Sequence, residues 1–303
     1  MKIPVVYSWH TDIIHYNKTY LKKKNSNILK IYFSDLLVKS TIYFSGINNC
    51  QQILTVSKNS QKRLENYGIV FSPIKLIPII IDTKMFYPLD NIQKNDIYTI
   101  LFVGRIDPEK NLDELLGYVN QIDNVKMLLI GDGISKEYLE EKYKSNKFNF
   151  MGKVKREELN YYYNKADLFI NPSKTETLGF TTLEALATKT NVLAYNAGGT
   201  KDIIVHRENG LLYQSKEEFF DNFNLIRLNT DLNQKMQENG IKFCLKHDIP
   251  NQCEYLLDLY RTLIKENKNK KNNWLKLKNI NKLFTIIIYL GIIVIFKIIG
   301  IFN

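Results

Sequence analysis

The chain has 303 residues, 45% hydrophobic and 24% charged, which fits a folded protein of roughly two domains and excludes an intrinsically disordered chain. The formal net charge is +11, but residues 265–303 contain eight lysines and one glutamate, so a generally basic nucleic-acid-binding surface is disfavoured. Three scattered cysteines, with no C-x-x-C pair, indicate neither a disulfide framework nor a zinc site.

The first 90 residues predict a small α/β domain. Strand-like runs lie at 5–9, 53–57 and 74–77, and helical patterns lie at 28–44 and 60–67. Three strands are few for such a domain, and we therefore expect residues 1–90 to form a partial N-terminal domain. No apolar leader with a cleavage site is present at the start, so no secretory signal is expected.

A polar segment at 90–96, which follows Pro88, marks the predicted domain boundary. Beyond it, strand and helix patterns alternate. The predicted strands are 99–103, 125–130, 148–151, 167–171, 191–195 and 210–213, and the helices between them are 112–119, 135–143, 157–164, 179–188 and 200–205. This alternation predicts a complete, doubly wound parallel-sheet domain at 91–264, closed by helices at 216–228, 232–246 and 252–265.

The end of the sequence changes character abruptly. Residues 283–302 are nearly all apolar and carry one charge, Lys297, and as a helix they are long enough to cross a hydrocarbon core of about 30 Å. The segment 265–282 before them is basic and contains Trp274, a pattern typical of the cytoplasmic side of a membrane anchor. We therefore expect a single C-terminal transmembrane helix with the body of the protein in the cytoplasm. A buried C-terminal helix is the alternative, because Lys297 is unfavourable in lipid.

Residues 171–185 are the most informative segment. Glu176 lies in a predicted loop after a strand, and Glu184 lies inside the following helix, which Gly179 opens. A helix N-terminus at the end of a parallel strand offers N–H groups and a positive dipole end to a diphosphate. Glu176 can then accept hydrogen bonds from sugar hydroxyls, and Glu184 from ribose hydroxyls. On spacing alone, two solvated glutamates are the alternative.

Three segments taken together resemble the retaining GT-B glycosyltransferases of family four, which sucrose and glycolipid synthases typify. They are Leu101–Asn111, Leu128–Gly133 and the 171–185 segment, and their order and spacing match the family over about residues 3–215. The resemblance implies an α/β fold of the GT-B type, with a nucleotide-sugar donor bound by the C-terminal domain and residues 1–90 on the acceptor side.

Two cations in the first of these segments are candidate diphosphate ligands. Arg105 follows a predicted strand end and Lys110 precedes the next helix, so both can reach a diphosphate, and the resemblance implies the same role. The predicted donor-binding residues are Gly104, Arg105, Lys110, Gly131, Gly133, Thr177, Leu178, Gly179 and Glu184. The predicted catalytic residues are His10, Arg105, Lys110 and Glu176. The Gly131–Gly133 turn lacks the third glycine of a dinucleotide fingerprint, which disfavours a dehydrogenase.

The residues Pro4–Asp12 resemble the family's strand that ends in a histidine facing the reaction centre. The resemblance implies that His10 contacts the donor sugar or the acceptor and stabilises the reacting geometry without acting as a covalent nucleophile. The sequence departs from the family at Ile80, where glycine is usual, so the donor contacts of that loop are not carried over. Gly198 and Gly199 form a second family-like turn, which either lines the donor pocket or simply connects two elements.

We expect a retaining hexosyltransferase that uses a nucleotide diphosphate sugar, UDP-glucose or UDP-galactose, and needs no other cofactor. No Asp-x-Asp motif occurs, which fits metal-independent GT-B chemistry. The segments His10–Asp12 and Ser173–Thr177 look most like diacylglycerol glucosyltransferases, so the expected acceptor is a membrane lipid such as diacylglycerol.

Two other functions stay open. One is a truncated or partner-dependent nucleotide-sugar-binding protein without independent activity, whose N-terminal domain a second chain completes. The other is a transferase for a capsule or protein glycan.

Overall fold

A computed structural model of the protein describes residues 5–10, 12–14, 17, 18, 21, 27–44, 47–77 and 79–269. These residues contain two parallel sheets. The first has three strands, β1 (Val6–Trp9), β2 (Gln52–Thr55) and β3 (Ile74–Leu76), in the order β1-β2-β3. The second has six strands, β4 (Tyr98–Val103), β5 (Val125–Ile130), β6 (Phe148–Gly152), β7 (Leu168–Asn171), β8 (Asn191–Tyr195) and β9 (Leu211–Tyr213).

Ten α-helices lie within the described part of the chain. They are α1 (Ile28–Phe44), α2 (Lys58–Asn66), α3 (Leu112–Val119), α4 (Lys136–Lys142), α5 (Leu159–Lys165), α6 (Phe180–Ala187), α7 (Thr200–Ile203), α8 (Lys216–Leu228), α9 (Thr230–Lys246) and α10 (Ile249–Asn269). Most predicted elements occur with their ends shifted by one to four residues. The largest shift is that of the predicted helix 252–265, which extends over Ile249–Asn269, and the predicted helix 157–164 begins as a 3-10 turn at Arg156–Glu158, which is a common way for a helix to start.

The six-stranded sheet is doubly wound, as predicted. Successive residues of a strand point to opposite faces, and in β4 Ile100 and Phe102 join one buried cluster while Leu101 and Val103 join the other. Helices α3 and α8 cover the first face, and α5 and α6 cover the second. Each face of the sheet therefore has its own apolar core.

The order of the six strands is β6-β5-β4-β7-β8-β9: β5 and β6 are added on one side of β4, and β7, β8 and β9 on the other, so the order of strand addition reverses between β4 and β7. These two strands pair directly, with Ile100 opposite Leu168. At such a switch point the loops after the two strands diverge and leave a crevice, which is where open α/β sheets bind ligands. The topology therefore locates a site at the carboxyl ends of β4 and β7.

The three-stranded sheet is held from both ends of the described chain. Ile53 of β2 packs with Trp9 in one cluster, while its neighbour Leu54 contacts Leu259 and Leu263 of α10. Helix α10, which the sequence grouped with the nucleotide-binding domain, thus packs on the first sheet. The boundaries of the four predicted segments stay predictions.

Within the described residues, no helix combines the length and apolarity needed to cross a bilayer. The predicted transmembrane helix 283–302 lies outside those residues, as does most of the basic segment 265–282.

Candidate functional site

The loops after β4 and β7 meet at the switch point. Lys110, at the end of a 3-10 turn after β4, donates a 2.7 Å hydrogen bond from Nζ to Oε2 of Glu176 in the loop after β7. Both side chains are mostly buried, 19% and 17% exposed. An ion pair shielded from water in this way is less screened than one on the surface, so it holds the two loops together.

A cleft of about 300 Å³ opens beside this ion pair, within the size range of small-molecule sites. It lies between the two sheets, since three of its residues come from the N-terminal half. Its lining residues are His10, Asp12, Val56, Arg105, Glu109, Lys110, Thr175, Glu176, Thr177, Leu178, Gly179 and Phe180. The structure thus brings together seven of the predicted site residues, which are His10, Arg105, Lys110, Glu176, Thr177, Leu178 and Gly179.

Arg105 is oriented by two carboxylates on its own loop. Its guanidinium donates to Oδ2 of Asp107 at 2.9 Å and to Oε1 of Glu109 at 2.8 Å. The Arg105 side chain is 62% exposed, whereas Glu109 is 7% exposed. The other carboxylate oxygen of Glu109 is buried and has no hydrogen-bond partner in the described part of the chain. These contacts aim an exposed, planar cation at the cleft, where a phosphate could bind it.

The helix that begins beside the cleft is α6. Gly179 precedes it with φ of 99°, a backbone conformation that favours glycine. The loop before the helix is braced from two sides: Asn171 donates from Nδ2 to Oγ1 of Thr182 at 3.0 Å, and the Gly199 N–H donates to the Glu176 carbonyl at 2.8 Å. The helix N-terminus therefore faces the cleft from a fixed position.

Gly131 and Gly133 are not among the described residues that line the cleft. A Cβ on Gly131 would lie 1.8 Å from the Gly104 carbonyl oxygen, and one on Gly133 would lie 2.5 Å from the Ile106 carbonyl oxygen. Such distances are impossible without movement of the backbone. These glycines let the loop after β5 pack closely against the loop that carries Arg105. Their predicted contact with the nucleotide stays a prediction.

Glu184 lies deeper in the protein than the sequence suggested. It is 4% exposed, its Oε2 accepts a 2.8 Å hydrogen bond from the Tyr163 hydroxyl, and its Oε1 lies 3.5 Å from Arg156. Burial raises the pKa of Glu184, and the hydrogen bond from Tyr163 and the charge of Arg156 oppose this only in part. Glu184 is not among the described lining residues, and its predicted role with ribose stays a prediction.

The N-terminal half contributes His10 and Asp12 to the cleft. His10 follows β1 and is exposed, and its Nε2 lies 2.8 Å from Oγ of Ser8. Asp12 is 8% exposed and accepts hydrogen bonds from Tyr67.

Sequence reasoning missed Asp12 and Glu109 as lining residues. A signal existed for each: Asp12 stands two positions after the predicted histidine, and Glu109 four positions after the predicted arginine. It missed Val56, Thr175 and Phe180 as well, for which the sequence offers no chemical signal.

A second depression, of about 460 Å³, lies at the opposite ends of the strands. Residues from the start of β8 and from α9 line it, among them Lys189, Asn191 and Gln237. It shares no described lining residue with the cleft at the switch point.

Two parallel-sheet halves with a cleft between them define a protein of the GT-B fold. Residues 90–243, about half of the chain, match the family described as "Glycosyl transferases group 1". The chain belongs to this family of glycosyltransferases, and the family predicted from the sequence is confirmed.

Curated relatives agree with this assignment. Alpha-monoglucosyldiacylglycerol synthase of Acholeplasma laidlawii is 28% identical over 89% of this chain and 72% of its own length. The sulfoquinovosyl transferase of Arabidopsis thaliana is 29% identical over 69% of this chain and 41% of its own length. The chain thus spans less than half of the second relative.

Solved structures show the same fold. Sucrose-phosphate synthase from Thermosynechococcus elongatus superposes with a TM-score of 0.73 and 22% identity, over 86% of this chain and 68% of that chain. Anabaena HepE in complex with UDP-glucose superposes with a TM-score of 0.70 and 18% identity, over 86% and 72%. At these identities the comparison speaks to the fold alone.

Proposed function

We propose that the protein transfers a hexosyl group from UDP-glucose or UDP-galactose to a membrane lipid such as diacylglycerol, with retention at the anomeric carbon. The observation that carries the proposal is the cleft, in which two cations, a helix N-terminus and Glu176 converge opposite His10. A transferase of this kind must bind a diphosphate and a sugar side by side, and these groups suit the two tasks.

In this proposal the donor diphosphate binds Arg105, Lys110 and the N-terminus of α6. The cations stabilise the charge that develops on the diphosphate as its bond to the anomeric carbon breaks. Lys110 then exchanges part of its contact with Glu176 for a phosphate oxygen, which leaves Glu176 free to accept hydrogen bonds from the sugar hydroxyls. The closeness of Lys110 to Glu176, 2.7 Å, supports a shared place for phosphate and sugar.

The acceptor hydroxyl attacks the anomeric carbon from the face that the diphosphate leaves. Its proton passes to an oxygen of the departing diphosphate, so no side chain has to serve as a covalent nucleophile. His10 lies on the opposite wall of the cleft from Arg105 and contacts the sugar or the acceptor there.

Three observations support a lipid acceptor and a membrane location. One relative carries the name of a glucosyldiacylglycerol synthase. The sequence ends in a basic segment followed by an apolar one. On α1, Ile28, Leu29 and Tyr32 are exposed beside Lys30, a mixture compatible with an anionic lipid surface. In this proposal the catalytic body is cytoplasmic.

A vesicle assay tests the proposal. Purified protein is mixed with vesicles of phosphatidylglycerol and dioleoylglycerol and, separately, with radiolabelled UDP-glucose and UDP-galactose. We expect one donor to label the lipid, and Glu176→Ala to abolish labelling while Glu140→Ala, which removes a carboxylate from an exposed ion pair with Lys136, does not.

Two other outcomes would redirect the proposal. Labelling of an added soluble glycan but not of the lipid would favour the capsule or protein-glycan function. UDP binding by calorimetry without any turnover would favour the nucleotide-sugar-binding function.

A further inference from the structure

The short segment that carries His10 is fixed on both sides. Trp9, directly before it, is 3% exposed and belongs to the core of the three-stranded sheet. Asp12, two positions after it, is 8% exposed. His10 between them is exposed and lines the cleft. Moving the histidine backbone would pull a buried neighbour out of its place, so His10 has little freedom to shift.

Asp12, which follows His10 in the chain, is held in place by polar contacts. The Tyr67 hydroxyl lies 2.8 and 2.9 Å from the two carboxylate oxygens of Asp12 and donates its one proton to them as a shared hydrogen bond, and Nη1 of Arg63 lies 3.3 Å from Oδ2. Arg63 is in α2 and Tyr67 directly follows that helix. Burial and the charge of Asp12 raise the pKa of Tyr67 well above its ordinary value, so its hydroxyl stays a donor. A buried carboxylate is stable only with such partners.

We propose that Asp12 is a positioning residue for the transfer reaction: by binding Tyr67 and Arg63, it ties the segment after β1 to α2 and holds His10 toward the donor. The inference rests on the proposed function, because it requires His10 to act at the reacting centre. Asp12 itself exchanges no proton and forms no bond with substrate.

The chain supplies a matched control. Asp35 is also 8% exposed, and it also forms ion pairs, with Lys18 at 3.2 Å and Lys39 at 3.1 Å. It is not among the described residues that line the cleft. Asp35 also lies close to the Asp12 anchor, because its charge contributes to the raised pKa of Tyr67 and its partner Lys39 lies 5.8 Å from the centroid of the Tyr67 ring. Asp35→Asn therefore reports the cost of neutralising a buried, paired aspartate next to Tyr67 while the contacts of Asp12 with Tyr67 and Arg63 are left in place.

A double-mutant cycle tests the inference, with radiolabelled UDP-glucose and dioleoylglycerol vesicles as probes. We expect Asp12→Asn to lower kcat about 10- to 100-fold, since small misplacements of a reacting group cost that much, with the KM for UDP-glucose within about threefold. Tyr67→Phe should act in the same direction, and Asp35→Asn should change kcat less than about threefold. In a His10→Ala background, Asp12→Asn should add less than about threefold, because residues that act as one unit are not additive.

The cycle distinguishes the role of His10 in the proposed function from the positioning role of Asp12. Full activity of His10→Ala would refute the role of His10 in the proposed function. If His10→Ala is impaired and Asp12→Asn lowers kcat in that background by the same factor as in the unmodified protein, the positioning role alone is overturned. An Asp12→Asn variant with unchanged kcat would overturn it as well.

Proton NMR of the histidine rings provides a readout that needs no acceptor. The sequence has four histidines, so the His10 Cε1 proton can be assigned from the resonance missing in His10→Ala. We expect Asp12→Asn and Tyr67→Phe to shift or broaden that resonance, and Asp35→Asn to leave it in place. An unchanged His10 resonance in Asp12→Asn would overturn the inference whatever the activity.

Discussion

The two halves of the protein are stabilised in different ways. The six-stranded sheet is covered on both faces by helices that alternate with its strands in sequence, and each face has its own buried cluster. The three-stranded sheet depends on a helix from the far end of the described chain, since Leu54 packs against Leu259 and Leu263. The half with the six-stranded sheet is therefore built from local connections, whereas the half that carries His10 is completed by a contact of very large sequence separation.

The chain crosses between the halves twice at one place. The Ile81 N–H donates to the His247 carbonyl at 3.1 Å, the Ile249 N–H donates back to the Ile81 carbonyl at 3.2 Å, and the Thr83 N–H donates to Oδ1 of Asp248 at 3.1 Å. The outgoing and returning segments are thus joined by hydrogen bonds. A change on one side can reach the other chiefly through this crossing, through α10 and through the cleft.

The largest effect should come from the donor side. We expect Lys110→Ala to lower kcat/KM about 100- to 1,000-fold, because the diphosphate loses a charge that stabilises its departure and Glu176 loses its partner. UDP affinity, measured by calorimetry, should fall about tenfold or more. The matched control is Lys142→Ala, which breaks a 2.7 Å ion pair with Asp113 on the surface of the same half. Equal losses in the two variants would contradict a specific role for Lys110.

A core substitution tests whether the halves can be uncoupled. We expect Leu259→Ala to reduce stability by about 2–4 kcal/mol, the usual cost of deleting a buried leucine side chain. Hydrogen exchange should accelerate in peptides from β1 to β3 and stay unchanged in those from β4 to β9, with UDP affinity within about twofold of the unmodified protein. Faster exchange throughout the six-stranded sheet would show that the two halves unfold as one unit.

The smallest effect concerns Glu184 and depends on pH. Its native pKa is raised by burial, so the native state binds a proton more readily than the unfolded state does. The stability that Glu184 contributes is therefore present below its unfolded-state pKa and is lost as the pH rises through the native value. We expect Glu184→Gln, which keeps an acceptor for Tyr163, to unfold at a slightly higher temperature than the unmodified protein, by a margin that grows from pH 4.5 upward.

Thermal unfolding followed by fluorescence measures this margin, and UDP-glucose affinity is measured in parallel. A higher melting temperature together with weaker donor binding would agree with a buried glutamate kept for the donor. A margin that shrinks as the pH rises would contradict the raised pKa.

The sequence predicted the half with the six-stranded sheet well, and the reason is physical. Strands and helices of that half alternate with clear apolar periods, and helix and strand ends carry glycine or polar residues, so local patterns determine the elements. The arrangement of Arg105, Lys110, Glu176 and Gly179 followed from their places at strand ends.

Local patterns could not predict contacts between distant parts of the chain. The packing of Leu54 on Leu259 and the bond from Tyr67 to Asp12 join residues whose separation no periodicity encodes. The burial of Glu184 escaped prediction for a related reason. A glutamate in a helix is ordinarily exposed, and only the neighbouring Tyr163 shows why this one is not.

A crystal structure of the protein with UDP tests the donor site most directly. We expect the diphosphate within hydrogen-bonding distance of the Arg105 guanidinium and Lys110 Nζ, at the N-terminus of α6, with the former Lys110–Glu176 contact lengthened. A diphosphate bound elsewhere, for instance in the depression lined by Lys189 and Gln237, would contradict the assignment of the cleft between the two sheets as the nucleotide-sugar site.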